Sequence, residues 1–291
     1  MGKGFKIAII VLLSVIAVAL IVLITILSSK KYKINNYTIN DELTIDETYD
    51  NTFENISLDV KASKVEIKES EDNNIKVNIY GDKEKHKIEK DDKTIKIISD
   101  GDTCKFFCFK YKLTKIVLYV PKTYNNELNI TSKFGDIKVG NFPDAKATIK
   151  LDAGSVEIDS INEAEITNHF GDIIVGGKSE KLVLNEDAGD IKVNEVNRIE
   201  ANNKAGDIKI SKINESLKID NKAGDIKINE LNITEDSSIK QNLGDVKIGK
   251  TNDIYIDAKI SLGDIKINNN NRKSDLTLKI ESNLGDIKVN N

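Results

Sequence analysis

Leu217-Lys-Ile-Asp-Asn-Lys-Ala-Gly-Asp-Ile-Lys-Ile-Asn-Glu-Leu231 is the stretch whose reading decides the fold. Apolar residues alternate with polar ones at period two, the mark of a strand with one buried face. The alternation places Leu217 and Ile219 inward, then Ala223 just before the glycine, then Ile226 and Ile228, with Leu231 three residues on. Gly224-Asp225 interrupts the two short strands where a corner is needed: glycine supplies positive φ and aspartate can bond nearby backbone.

The same design recurs along the chain. Gly-Asp pairs stand at Gly135-Asp136, Gly171-Asp172, Gly189-Asp190, Gly206-Asp207, Gly224-Asp225, Gly244-Asp245, Gly263-Asp264 and Gly285-Asp286, with Gly154-Ser155 filling the one gap. Successive glycines lie 17 to 22 residues apart, and the residue before each is apolar, from Phe134 to Leu284. A fixed period of this length signals a solenoid, in which each strand pairs with its equivalent in the next coil. Six apolar side chains cannot offset the ordering of about eighteen residues, so one coil needs its neighbours. The expected fold is all-β: a single-domain β-solenoid of about nine to ten coils, preceded by one transmembrane helix. An antiparallel meander shares the alternation, but the constancy of coil length favours the solenoid.

Residues 128–291 hold the regular coils, and 51–127 read as an irregular β cap. Within the latter, Leu58-Asp-Val-Lys-Ala-Ser-Lys-Val-Glu-Ile67 aligns without a gap to Ile149-Lys-Leu-Asp-Ala-Gly-Ser-Val-Glu-Ile158, a degenerate coil. Runs at 75–79, 94–98 and 115–120 add strands that cover the end of the stack, as terminal repeats require. No such cover follows Val289, so the C-terminal coil is expected to present an open edge, suited to self-association.

Residues 28–50 read as a linker and 1–6 as a short cytoplasmic tail. Between them Ile7–Leu27 carry no charge, enough for a helix at about 1.5 Å per residue to cross roughly 30 Å of hydrocarbon. The run exceeds a signal peptide's apolar core and lacks a small-residue cleavage site, which favours an uncleaved single-pass anchor. A short tail before a large domain suits an extracytoplasmic C-terminal part; Lys30, Lys31 and Lys33 against Lys3 and Lys6 pull weakly the other way.

The 291-residue chain has a net charge of −4 with both signs interleaved, so it lacks the excess of basic charge that nucleic-acid binding requires. The Asp column could in principle hold calcium, but calcium-binding nonapeptide repeats have several glycines per turn and a nine-residue period. Neither is present, so no metal or cofactor is expected. Lys138, Lys192, Lys209, Lys227, Lys247, Lys266 and Lys288 stand two residues beyond their aspartates on the same outward face. They form either a solvated face that limits like-charge repulsion or a surface for a charged wall polymer, peptide or protein. Cys104 and Cys108 could join across a tight turn; along an extended strand they would be about 13 Å apart, too far for a disulfide. His86 and His169 have no metal-ligand spacing to them.

Val120-Pro-Lys-Thr-Tyr124, then Leu128-Asn-Ile-Thr-Ser-Lys-Phe-Gly-Asp-Ile-Lys-Val139 and the Gly-Asp-Ile-Lys series after it, resemble the bacterial "putative adhesin" family over roughly residues 50 to 291. The resemblance implies an envelope-associated β-strand-repeat domain. Some relatives are associated with envelope stress responses and antimicrobial-peptide sensing, and no catalytic residues carry over. The Cys104–Cys108 insertion and Gly154-Ser155 depart from the pattern. The expected function is a membrane-anchored surface interaction module. A structural stalk or scaffold is the alternative, and a polysaccharide-active enzyme is disfavoured because the corners are short and alike, without a cluster of acids in long loops.

Overall fold

A computed structural model describes residues 37–100, 111–268 and 270–290. Nearly all belong to one compact unit, Ile39–Lys105 with Lys112–Asn291. Their strands hydrogen-bond into a single sheet. Its first strands are β1 (Tyr37–Ile39), β2 (Leu43–Asp50), β3 (Asn55–Ser70), β4 (Asn74–Tyr80), β5 (His86–Lys90), β6 (Thr94–Ser99), β7 (Tyr111–Pro121) and β8 (Glu127–Phe134). Then come β9 (Ile137–Ala153), β10 (Val156–Phe170), β11 (Ile173–Ala188), β12 (Ile191–Asn203), β13 (Ile208–Ala223) and β14 (Ile226–Leu231). The series closes with β15 (Ser237–Leu243), β16 (Val246–Thr251), β17 (Tyr255–Leu262), β18 (Ile265–Ile267), β19 (Thr277–Leu284) and β20 (Ile287–Val289).

The fold class needs one correction. The described residues form an all-β structure whose only helical element is the 3-10 turn Lys83–Lys85, and no helix among them is long and apolar enough to cross a membrane. An architecture that includes a transmembrane helix gives way to an all-β one. Residues 7–27, where the span was expected, lie outside the described residues, as do the tail before them and the Cys104–Cys108 segment.

From β8 onward successive coils pair in parallel and in register. Ile137 pairs with Val156, Val156 with Ile173, Ile173 with Ile191, and Ile191 with Ile208. The differing coil lengths are absorbed at the second bend, where the register shifts between Ile158 and Glu163, Val175 and Lys178, and Val196 and Arg198. Ile137, Val139, Ile208, Ile210, Ile226 and Ile228 are buried in one continuous core. Phe142, Ile161, Val196, Ile213 and Leu231 fill it from the second bend.

Both ends depart from sequence order. β3 contains the degenerate coil at 58–67. It pairs with β6 and β7 on one side and with β8 and β9 on the other, so it stands second in the stack. Beyond β6 and β7, the antiparallel pairs β5–β6, β4–β7 and β2–β4 cover that end. At the other end β15 and β16 pair with β19 and β20, which in turn pair with β17 and β18. The coil of Gly285 is therefore inserted between those of Gly244 and Gly263. The open edge expected at the C-terminal coil belongs instead to β17–β18, because the chain steps outward by one rung and then returns.

Candidate functional site: the lysine column beside the Gly-Asp corner

The corners stack as Ser63, Gly135, Gly154, Gly171, Gly189, Gly206, Gly224, Gly244, Gly285 and Gly263. A Cβ added at Gly206 would stand 1.9 Å from the carbonyl oxygen of Gly189, and one at Gly285 2.1 Å from that of Gly244. Backbone lies directly on backbone there, which excludes any side chain. Gly206 and Gly285 also have φ of 141° and 127°, a region that costs other residues strain. Gly189, though equally crowded, is not among the positive-φ glycines.

The aspartates join the corners into a ladder. The Asp172 Oδ1 accepts from Asp190 N–H, Asp190 from Asp207, Asp207 from Asp225, and Asp225 from Asp245, all at 2.9 to 3.0 Å. Asp245 then accepts from Asp286 and Asp286 from Asp264, which again shows the exchanged order of the last two coils. At the exception, Ser155 donates its N–H to Asp136. The accepted N–H of Asp225, with help from Lys209, holds the Asp207 carboxyl below its ordinary pKa. Among the described residues no group of three or more His, Cys, Asp or Glu is placed to hold a metal ion.

Stacking turns the scattered lysines into a row. Lys192 pairs in register with Lys209, Lys209 with Lys227, Lys227 with Lys247, Lys247 with Lys288, and Lys288 with Lys266. Six consecutive rungs about 4.8 Å apart make a row on the order of 24 Å long. Lys138 stands apart from it, separated by Glu157 and Ile174. Lys192 bonds to Asp172 and Asp190, Lys209 to Asp207, and Lys247 to Asp245. Burial works against the Lys192 charge, but the two carboxylates outweigh it and raise its pKa; Asp207 and Asp245 raise those of Lys209 and Lys247. Lys192, Lys209 and Lys227 line a shallow cleft of about 370 Å³ with Asn194, Ser211 and Asn229. The neutral polar residues beside the ammonium groups offer hydrogen bonds without adding charge.

The residue before each glycine does not face inward. Phe134 and Phe170 are 57% and 62% exposed, and Leu243, Leu262 and Leu284 are exposed as well. The corner ends the pleat, and the interior position is taken by the residue three before the glycine. This gives a buried polar column that the alternation alone did not reveal: Ser132, Asn168, Glu186, Asn203, Asn221, Gln241 and Ser282. Their amides satisfy the stacked corner carbonyls, as Asn168 does for Gly154 and Gly171, Asn203 for Gly189 and Asn221 for Gly224. The visible signal was a polar residue where period two called for an apolar one.

Glu186 is the acid in this column. It is 2% exposed; burial pushes its pKa up to about 7 against the opposing hydrogen bonds from Ala188 N–H and Asn168. His169 bonds through Nδ1 to Asp187 Oδ2 at 2.8 Å on the outer surface.

The family described as Toastrack DUF4097 matches residues 53–291. The chain belongs to that family. Among solved structures, a "putative adhesin" from Bacteroides fragilis is 18% identical, covering 87% of this chain and 100% of its own, with a TM-score of 0.49. A "putative adhesin" from Parabacteroides merdae is 12% identical at the same coverages, with a TM-score of 0.45. A "putative lipid binding protein" from Parabacteroides distasonis is 14% identical, also covering 87% and 100%, with a TM-score of 0.41. No curated protein matches the chain. Membership of the Toastrack family agrees with the adhesin-type resemblance read from the Gly-Asp series.

Proposed function

We propose that this Toastrack domain is an extracytoplasmic, adhesin-like interaction module that binds a linear anionic envelope polymer along its lysine column. The observation that carries this reading is the in-register row from Lys192 to Lys266, with Asn194, Ser211 and Asn229 beside its first three members. A repeating polyanion meets a lysine at each rung, so many weak contacts add along one line. Lys227, Lys266 and Lys288 have no ion-pair partner within 4.0 Å among the described residues, which leaves their charge available to a ligand.

Calorimetric titration with poly(glycerol phosphate) tests the reading. The variant K192E/K209E/K227E should lose binding, and the wild-type affinity should fall steeply with added salt. Reversal of Lys150 and Lys181, exposed elsewhere on the solenoid, should leave binding intact. Equal binding by the triple variant, or none by the wild type, would refute the proposal. Protease shaving of intact cells, with a tag after Asn291, tests the location: a tag cut only after lysis would place the domain inside.

A further inference from the structure

We propose that two copies of this chain associate tail to tail, through antiparallel pairing of β18 with β18 around a two-fold axis at Ile265. In each inner rung from Gly135 onward, the glycine N–H and the N–H two residues later donate to the next rung. Gly244 and Val246 thus reach Leu284 O and Asp286 O, and Gly285 and Ile287 reach Leu262 O and Asp264 O. On the terminal rung the same two donors, Gly263 and Ile265, have no acceptor among the described residues. The Asp264 carboxylate likewise receives no N–H from a further aspartate there.

The core also reaches solvent at this rung. Ile287 and Val289, one rung inward, are buried, whereas Ile265 at the equivalent position is 41% exposed. Ile260 and Ile267 are only partly covered. An unpaired edge next to uncovered apolar side chains is a template for another strand.

The occupant follows from two features. The far end of the stack is capped by the antiparallel strands β2, β4 and β5, so a copy added head to tail would meet an edge unlike the parallel rung-on-rung ladder. Two tails can meet, and the two-fold relation makes their edges antiparallel and the assembly closed at two. Gly263-Asp-Ile-Lys-Ile267 is self-complementary in that arrangement. With Ile265 opposite its own copy, Asp264 faces Lys266 of the second chain and Lys266 faces its Asp264, the favourable cross-strand pairing. Ile267 then lies opposite Gly263, which leaves room for it.

Sedimentation equilibrium of the full chain in a density-matched non-ionic detergent tests the proposal. The wild type should pass from one copy to two across the micromolar range. D264K and K266D alone each set like charges opposite one another and should weaken the dimer by ~tenfold or more. The double variant D264K/K266D should restore it, with circular dichroism showing unchanged β content in all three. A wild type that stays monomeric, a mass that grows beyond two copies, or single variants that dimerise like the wild type would each overturn the proposal.

Discussion

Replacement of Glu186 by Gln should stabilise the solenoid in a pH-dependent way. The carboxyl is buried between Asn168 and Asn203 in the polar column, and its pKa is raised from 4.5 to about 7. Below pH 4.5 it is protonated in both folded and unfolded chains and contributes no pH dependence. Between 4.5 and 7 the unfolded chain releases the proton while the folded one keeps it, so stability falls as pH rises. Above 7 the penalty is constant, at about 3.5 kcal/mol from the ~1.4 kcal/mol that one pKa unit represents. Gln carries no such penalty and brings an amide that can donate. Gln241, at the equivalent position, already donates to Gly224 O and Leu243 O. In urea unfolding from pH 4 to 8.5, the variant should match the wild type at the acid end and exceed it by about 3 to 3.5 kcal/mol above pH 7.5. The corresponding gain in Tm is about 6 to 14 °C. A difference that is independent of pH, or a variant less stable at pH 8, would refute the reasoning.

The corner and the ladder make three further predictions. Gly206→Ala must hold a Cβ 1.9 Å from Gly189 O at φ 141° and should cost more than about 3 kcal/mol in unfolding experiments. Gly176→Ala, whose Cβ would meet nothing closer than 3.6 Å, should change stability little. Asp207→Ala leaves the Asp225 N–H without its acceptor and should cost about 1 to 3 kcal/mol at neutral pH. Because the folded Asp207 pKa is depressed, that contribution is full above the ordinary carboxylate value and is lost as pH falls through the folded one. Wild type and Asp207→Ala should therefore converge in acid melts.

Much of the fold was legible because a period near eighteen, glycine punctuation and period-two alternation all point to the same coil. Legibility failed where an outcome depends on which rung lies next to which. Nothing in the last Gly-Asp-Ile-Lys-Val coil distinguishes it from an end rung, since its inward Ile287 and Val289 fit either place. Asn221 and its equivalents are not legible as core residues, because an amide inside a strand core looks like a break in the pattern. Only the corner carbonyl of Gly224 gives it a partner. The lysine row was visible as a column, but its continuity was not: the chain order places Lys266 before Lys288, while the sheet places it after.

The exchanged order at both ends has a common physical consequence. β3 enters at the second position and β20 lies between β16 and β18, so neither segment that enters or leaves the stack forms its outermost rung. A rung at the edge of a solenoid has neighbours on one side only and opens most readily. Placing the entering and leaving strands one rung inward gives each of them hydrogen bonds on both sides. The outermost rungs are then β6–β7 and β17–β18. Of these, β6–β7 gains antiparallel cover and β17–β18 has none among the described residues, so exchange of amide protons should be fastest along β17–β18 in the monomer and slow there on self-association. Mass-resolved exchange at two protein concentrations reads that difference directly, and equal protection of 255–267 at both would argue that this edge meets no partner.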